Sequence, residues 1–411
     1  MPLMPLMRLM CTLSSWMFPL ACASALLLAS GGCANNGKKP LTQKQAATAQ
    51  WNRARATVML GLAKDQYNTG NFDASRKTVD EALRMDPENA ALRVLSARLA
   101  IESGQLELAD KELEKARKNN PKDAEADYLS GVVCQRWQKP ESAFTYYSAA
   151  ADKEPTELAY ILAKGEMLVA MGRSEEALHL LQDKVTFFEN SAVIRDAVGQ
   201  LLMQFHKYGE AADALQQARI LATDDLTIAE HLGLAFYFAA RYPDAIDTLG
   251  RLTQKEGYSK RADLFLALGR SQLEIGKTRE ARASLERAAQ LDDSSSATWL
   301  ALGRAAMQMN DTKRADLSFK RAALLEPESS ETRLMIGYLR VKQGKLTEAL
   351  ASFQRASALD SSDTVSLCMI GFTLQKLNRG DEAARYYAKA LKIKPGDEMA
   401  RKLMASVDVK E

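Results

Sequence analysis

The chain runs to 411 residues, of which 26% are charged and 7% aromatic, and its 55 Lys and Arg exceed its 52 Asp and Glu by three. The two signs are interspersed rather than blocked, which excludes the basic footprint of a nucleic-acid binder. Leu, Ala, Met, Glu, Lys, Arg and Gln abound while β-branched residues are sparse, so an all-helical body is expected.

The N-terminal stretch stands apart. Arg8 is its only charge before Lys38, Leu13 to Ser30 is largely apolar, and small residues close it. A basic start, an apolar run and a small-residue end have the layout of a secretory signal, residues 1–32. Cys33, directly after Ser30-Gly31-Gly32, resembles the lipid-modified cysteine of bacterial lipoproteins. That resemblance implies acylation of Cys33 and, with Ala34 rather than aspartate behind it, sorting to the periplasmic face of the outer membrane. Several acyl chains make such an attachment stable where one is marginal. The motif departs from the family at Ser30, where leucine is usual, so two other outcomes stay open. Cleavage after Gly31 would release a secreted protein. An uncleaved span is also long enough, since the 29 residues from Leu9 to Gly37 carry no charge, and Lys38 and Lys39 would then favour a cytoplasmic body. Residues 33–55 read as a lipidated tether and lead-in helix; the stretch to about residue 50 reads as flexible, although Thr42 can cap an earlier helix start.

From Ala56 a 34-residue period carries the chain to residue 397. Position 8 of each unit reads Ala63, Ala97, Gly131, Gly165, Gly199, Gly233, Gly269, Gly303, Gly337 and Gly371, with one step of 36 where two residues are inserted at Lys260-Arg261. Position 20 is Ser75 and then nine alanines, Ala109 to Ala383; position 27 is alanine except at Lys184 and Leu252. Small residues at fixed points let two antiparallel helices approach, while position 24 (Leu285, Phe319, Phe353, Tyr387) fills the space beside them. Glycine near position 15 (Gly70, Gly104, Gly172, Gly276, Gly344) ends the first helix, and proline at position 32 (Pro87, Pro121, Pro155, Pro327, Pro395) stops the second. The fourth unit, 158–191, is the weakest, with DKVTFFEN in place of the usual ending; residues 398–411 read as a closing helix.

The unit from Ser296 to Ser329, with Trp299, Leu302, Gly303, Ala315, Phe319, Ala322 and Pro327, resembles the tetratricopeptide repeat, departing mainly at position 11, where Ala306 replaces an aromatic. The resemblance covers ten units, residues 56–397. It implies a right-handed superhelical α-solenoid of helical hairpins, since one hairpin cannot bury its apolar face alone.

Signals of chemistry fail on inspection. Gly276-Lys277-Thr278 imitates the end of a phosphate loop, but the first glycine and the preceding strand are missing and the triplet belongs to the repeat. His179, His206 and His231 fall at different positions of different units, without the spacing of a metal site. Cys134 and Cys368 lie seven units apart, too far for a disulfide in a solenoid. No catalytic residues, cofactor or metal are expected.

In the family the first helices line a concave groove that holds segments of other proteins. Mapped here, the groove residues are Tyr67, Arg98, Tyr128, Glu166, Gln200, Tyr237, Arg270, Arg304, Tyr338 and Phe372, with Arg270 and Arg304 placed to meet a partner's carboxylates. Many apolar residues at these positions are also expected to pack between helices. In layout the chain resembles the tight-adherence pilus assembly lipoprotein and the pilotins of secretin rings. That implies a tethered scaffold for pilus or secretion assembly, bound to envelope proteins and, through lipid, to the membrane. A scaffold of exopolysaccharide export and an inner-membrane-anchored cytoplasmic adaptor are the alternatives.

Overall fold

The structure, a computed structural model, describes residues 42–407. The expected signal segment, Cys33 and the expected tether as far as residue 41 lie outside the described residues. Thr42 does cap the first helix: its side chain accepts from the Gln45 N–H and the Gln45 side chain accepts in return, closing a capping box. Helix therefore starts at Gln43, so residues 43–50, expected as part of a flexible stretch, are helical instead.

The described residues hold twenty-one α-helices and a 3₁₀ turn, and the helices pair in chain order. α1 (Gln43–Asn68) packs on α2 (Phe72–Met85), α3 (Ala90–Glu102) on α4 (Leu106–Asn119), and α5 (Ala124–Arg136) on α6 (Pro140–Lys153). Next come α7 (Leu158–Ala170) with α8 (Ser174–Val185), α9 (Ala192–Gln204) with α10 (Tyr208–Leu221), and α11 (Leu226–Phe238) with α12 (Tyr242–Leu252). The array ends with α13 (Ala262–Glu274) on α14 (Thr278–Leu291), α15 (Ser296–Gln308) on α16 (Thr312–Leu325), α17 (Ser330–Lys342) on α18 (Leu346–Leu359), and α19 (Thr364–Lys376) on α20 (Gly380–Ile393). α21 (Glu398–Ala405) closes it, burying Ala400 against Cys368 and Ala390. The chain is an all-α solenoid.

Position 15 turns the chain between paired helices, and in all ten hairpins its φ is positive. Glycine occupies five of these sites; Gln138, His206, Ala240, Asn310 and Asn378 hold the same left-handed conformation at φ 57° to 60°. The turn is thus imposed by the packed helices and not by glycine alone. Gly276, the phosphate-loop imitator, is one of these turns, at φ 78° between α13 and α14.

Packing explains the small residues. A Cβ at Gly303 would overlap the fully buried Phe319 ring, and one at Gly131 would stand 2.5 Å from Tyr147 Cδ1. Every residue at position 20 and every alanine at position 27 is fully buried. Ser75, the lone serine, donates to the Ala63 carbonyl at 2.8 Å and so leaves no polar atom stranded. Each large position-24 side chain removed from water contributes roughly 1.5–3 kcal/mol, which a single hairpin could not collect.

Position 34 carries a signal beyond the period. Asn89, Asp123, Glu157, Asp225, Ser295, Ser329, Asp363 and Asp397 each accept a backbone N–H with their side chain and cap the helix that follows. Two joints lack this bond, at Ser191 and Arg261. They follow the two shortened second helices, α8 with 12 residues and α12 with 11 where the others have 14. Those are the units that lost alanine at position 27. The two-residue insertion is absorbed over Thr253–Arg261, with a 3₁₀ turn at Tyr258–Lys260, and not at Lys260-Arg261 alone.

Candidate protein-binding face

Several odd helices touch the next odd helix, as α9 does α11, α11 does α13 and α13 does α15, whereas the even helices make no comparable contact with one another. Helices that crowd on one side and spread on the other curve the array toward the crowded side. The odd helices therefore line the inner face, where the groove was placed.

All ten predicted groove residues lie on odd helices and all ten are half-buried. Sharing between neighbouring units explains this. Tyr67 lies 3.4 Å from Glu102 Oε1, Arg98 pairs with Glu125 at 2.6 Å, and Gln135 donates to Glu166 at 3.0 Å. Arg270 reaches the Tyr237 hydroxyl at 3.4 Å, and Arg304 pairs with Glu274 at 2.9 Å. The two arginines expected to await a partner's carboxylates thus already bridge adjacent units. Gln200 donates to Asp196 at 2.7 Å, Tyr338 meets the Phe353 ring edge at 5.5 Å, and Lys376 lies over the Phe372 ring at 5.3 Å.

Electrostatics follow burial. Desolvation pushes the Glu166 carboxyl up against the lowering effect of its Gln135 bond, and it raises the Tyr128 and Tyr338 hydroxyls. Tyr128 stacks near Tyr160 and Tyr147 at 4.9 and 5.5 Å, an aromatic patch beside Glu166. Glutamine at position 12 has its own logic: Gln135 and Gln375 accept from the buried hydroxyls of Tyr147 and Tyr387 at 2.6 and 3.2 Å. Where position 24 is Phe319 or Phe353, position 12 is Met307 or Val341 and no such bond is needed. Other residues of the odd helices are simply core: Val94, Leu300, Cys368, Ile101 and Leu273 are buried.

The histidines stay apart. His206 sits in a turn with Nδ1 2.5 Å from the Tyr208 hydroxyl, while His231 Nδ1 meets Asp196 Oδ1 at 2.7 Å. Among the described residues no group of His, Cys, Asp and Glu could hold a metal ion. Cys134 and Cys368 are free and buried, with burial pushing the Cys368 thiol up to about 11.

Tetratricopeptide-repeat family models match residues 69–131, 266–315, 300–364 and 365–397. The chain carries tetratricopeptide repeats. Between the matched stretches, over 132–265, the structure continues the same hairpins through both irregular joints. None of the matching models describes a catalyst; the repeat is a scaffold for binding other proteins. No curated protein sequence matches the chain. Among solved structures, an anaphase-promoting-complex hetero-tetramer of Cut9 and Hcn1 matches with TM-score 0.48 and 16% identity over 86% of this chain and 76% of its own. A thermophilic tetratricopeptide protein of Thermus thermophilus matches with TM-score 0.39 and 22% identity over 44% and 98%. Pseudomonas aeruginosa PilF matches with TM-score 0.43 and 18% identity over 52% and 96%.

Proposed function

We propose that this protein is a membrane-tethered scaffold of the bacterial cell envelope that assists assembly of a pilus or secretion complex by holding segments of its components. The observation that carries the scaffold reading is the inner row of half-buried side chains, Tyr67 through Phe372, on consecutive odd helices. Residues already satisfied by their neighbours form a pre-ordered surface, so a partner segment pays little for ordering it. The apolar stretch ending in Cys33 supports the tether, which would raise the local concentration of the array for membrane partners.

A photo-crosslinking residue at Tyr237 or Tyr338, in native cells, should form adducts with an envelope assembly component. The same residue at Leu317, 69% exposed on the even helix α16, should not. Adducts at Leu317 alone would discard the inner-face reading. The mass of the mature N-terminus tests the tether separately: acylated Cys33 supports it, and an intact Met1 would select the cytoplasm-facing adaptor.

A further inference from the structure

α1 opens the array and is apolar on two sides. Its inner side carries Ala56 and Ala63, fully buried, with Met59 and Leu60 packed beside them. On another side Trp51, Val58 and Leu62 recur at i, i+7 and i+11, one stripe of the helix, and they are 65%, 76% and 53% exposed. The two ends of the array differ in this. α21 shields the last hairpin, whereas no described helix covers the stripe on α1, although a solenoid end needs a polar outer face to stay soluble.

Charge says what fits the stripe. From Lys38 to Lys64 the chain carries Lys38, Lys39, Lys44, Arg53, Arg55 and Lys64 and no acidic residue. Lys44 and Arg55, at i−7 and i+4 from Trp51, fall on the stripe itself. A stripe that joins tryptophan and aliphatic side chains with Lys44 and Arg55 is the chemistry of a helix lying in the headgroup region of an anionic bilayer. A protein partner would draw on the same apolar area, but nothing about it would require a run of 27 residues free of acids.

We propose that α1 lies along anionic phospholipid headgroups through Trp51, Val58 and Leu62, with Lys44 and Arg55 at the phosphates. The array would then stand on the membrane at a fixed orientation, its inner face aimed by α1. The inference rests on the tether only to bring the bilayer near.

The purified full-length chain, reconstituted into vesicles, tests both ideas apart. Flotation with neutral phosphatidylcholine vesicles reports the tether. Quenching by brominated lipid, taken as wild type minus Trp51→Phe, reports α1. With phosphatidylglycerol present Trp51 should be quenched, and high salt should reverse it. Lys44→Gln and Arg55→Gln should each weaken the contact roughly fivefold. The Trp51→Ser/Val58→Ser/Leu62→Ser variant should abolish it while keeping the helical circular dichroism of the wild type. Flotation without Trp51 quenching overturns the proposal and leaves the tether standing. Trp51 protected from acrylamide before lipid is added overturns it in favour of a cover from the chain's own residues before 42. Absent quenching together with self-association lost in the triple variant overturns it in favour of a second copy.

Discussion

Eight joints of the array are built alike, and the two after α8 and α12 are not. At a regular joint such as that between α18 and α19, the second helix runs its full 14 residues, Ala356 is buried at position 27, and Asp363 caps the next helix. After α8 the helix stops at Val185, Lys184 replaces the alanine, and no side-chain cap bond forms at Ser191. The arginine bonds that remain at these joints have counterparts at regular ones, where Arg333 and Arg401 donate to the Pro327 and Pro395 carbonyls. Arg195 donates to the Phe188 and Ser191 carbonyls at 3.3 and 3.1 Å, and at the second irregular joint Arg261 binds Glu230 and Asp263 at 2.7 and 2.8 Å. The difference teaches that the period is held by sets of small residues acting together. Where position 27 is not alanine, the second helix is shorter and the side-chain cap bond of the next helix is missing.

The sharpest way to break this comparison is at position 8. Gly303→Ala would push a Cβ into the Phe319 ring, which is fully buried and cannot yield, at a cost of about 1–3 kcal/mol. In the irregular fourth unit the nearest atom to a Cβ at Gly165 is Leu181 Cδ2 at 3.5 Å, an ordinary contact. Gly165→Ala should therefore gain about 0.5–1 kcal/mol from helix propensity. Hydrogen exchange read separately in α15–α16 and in α7–α8 suits an array that need not unfold in one step. Equal losses at both sites would dissolve the distinction. Adding Phe319→Leu should restore part of the Gly303→Ala loss, because Ala97 already packs with Leu113 in that combination.

The next contrast is at the caps. Asp363 accepts the N–H groups of Val365 and Ser366 at 2.9 and 3.1 Å, so Asp363→Ala should cost about 1 kcal/mol. Ser191 makes no such bond, and Ser191→Ala should stay within about 0.5 kcal/mol of zero. Denaturant titrations of the two variants check the pair. A loss at Ser191 equal to that at Asp363 would place a cap where the irregular joint has none.

These features were unequally legible in the sequence. The hairpins, their close approach and the closing helix follow from residues that recur, since burial at positions 8, 20, 24 and 27 filters size directly. The caps at position 34 were equally periodic, as Asp123, Asp225, Ser295, Ser329 and Asp363 stand one unit apart or a few, but a short polar residue before a helix reads as linker until its bond is seen. Ala240 at a left-handed turn was not legible, because its neighbours and not its own propensity set its φ. The expected groove residues all lie on odd helices, yet the occupation of Arg270 and Arg304 by Tyr237 and Glu274 was hidden. Those bonds span 33 and 30 residues and depend on how one hairpin leans on the next.

The smallest expected effect lies between the two irregular joints, where Asp196 on α9 holds His231 on α11. Burial opposes charge on His231, but the Asp196 hydrogen bond and charge, with Glu230 and Asp225 nearby, outweigh it and hold the imidazole above its usual range. A folded-state pKa raised above the unfolded value of about 6.5 means that the native state binds the proton more tightly. The clasp therefore contributes fully below about pH 6.5, and its contribution fades as pH rises through the folded pKa. Stability measured from pH 6 to 8.5 should fall more in the wild type than in His231→Gln, and exchange in α9 and α11 should quicken over the same interval. Parallel pH profiles for the two proteins would show that the Asp196–His231 bond adds no pH-dependent stability to the contact between α9 and α11.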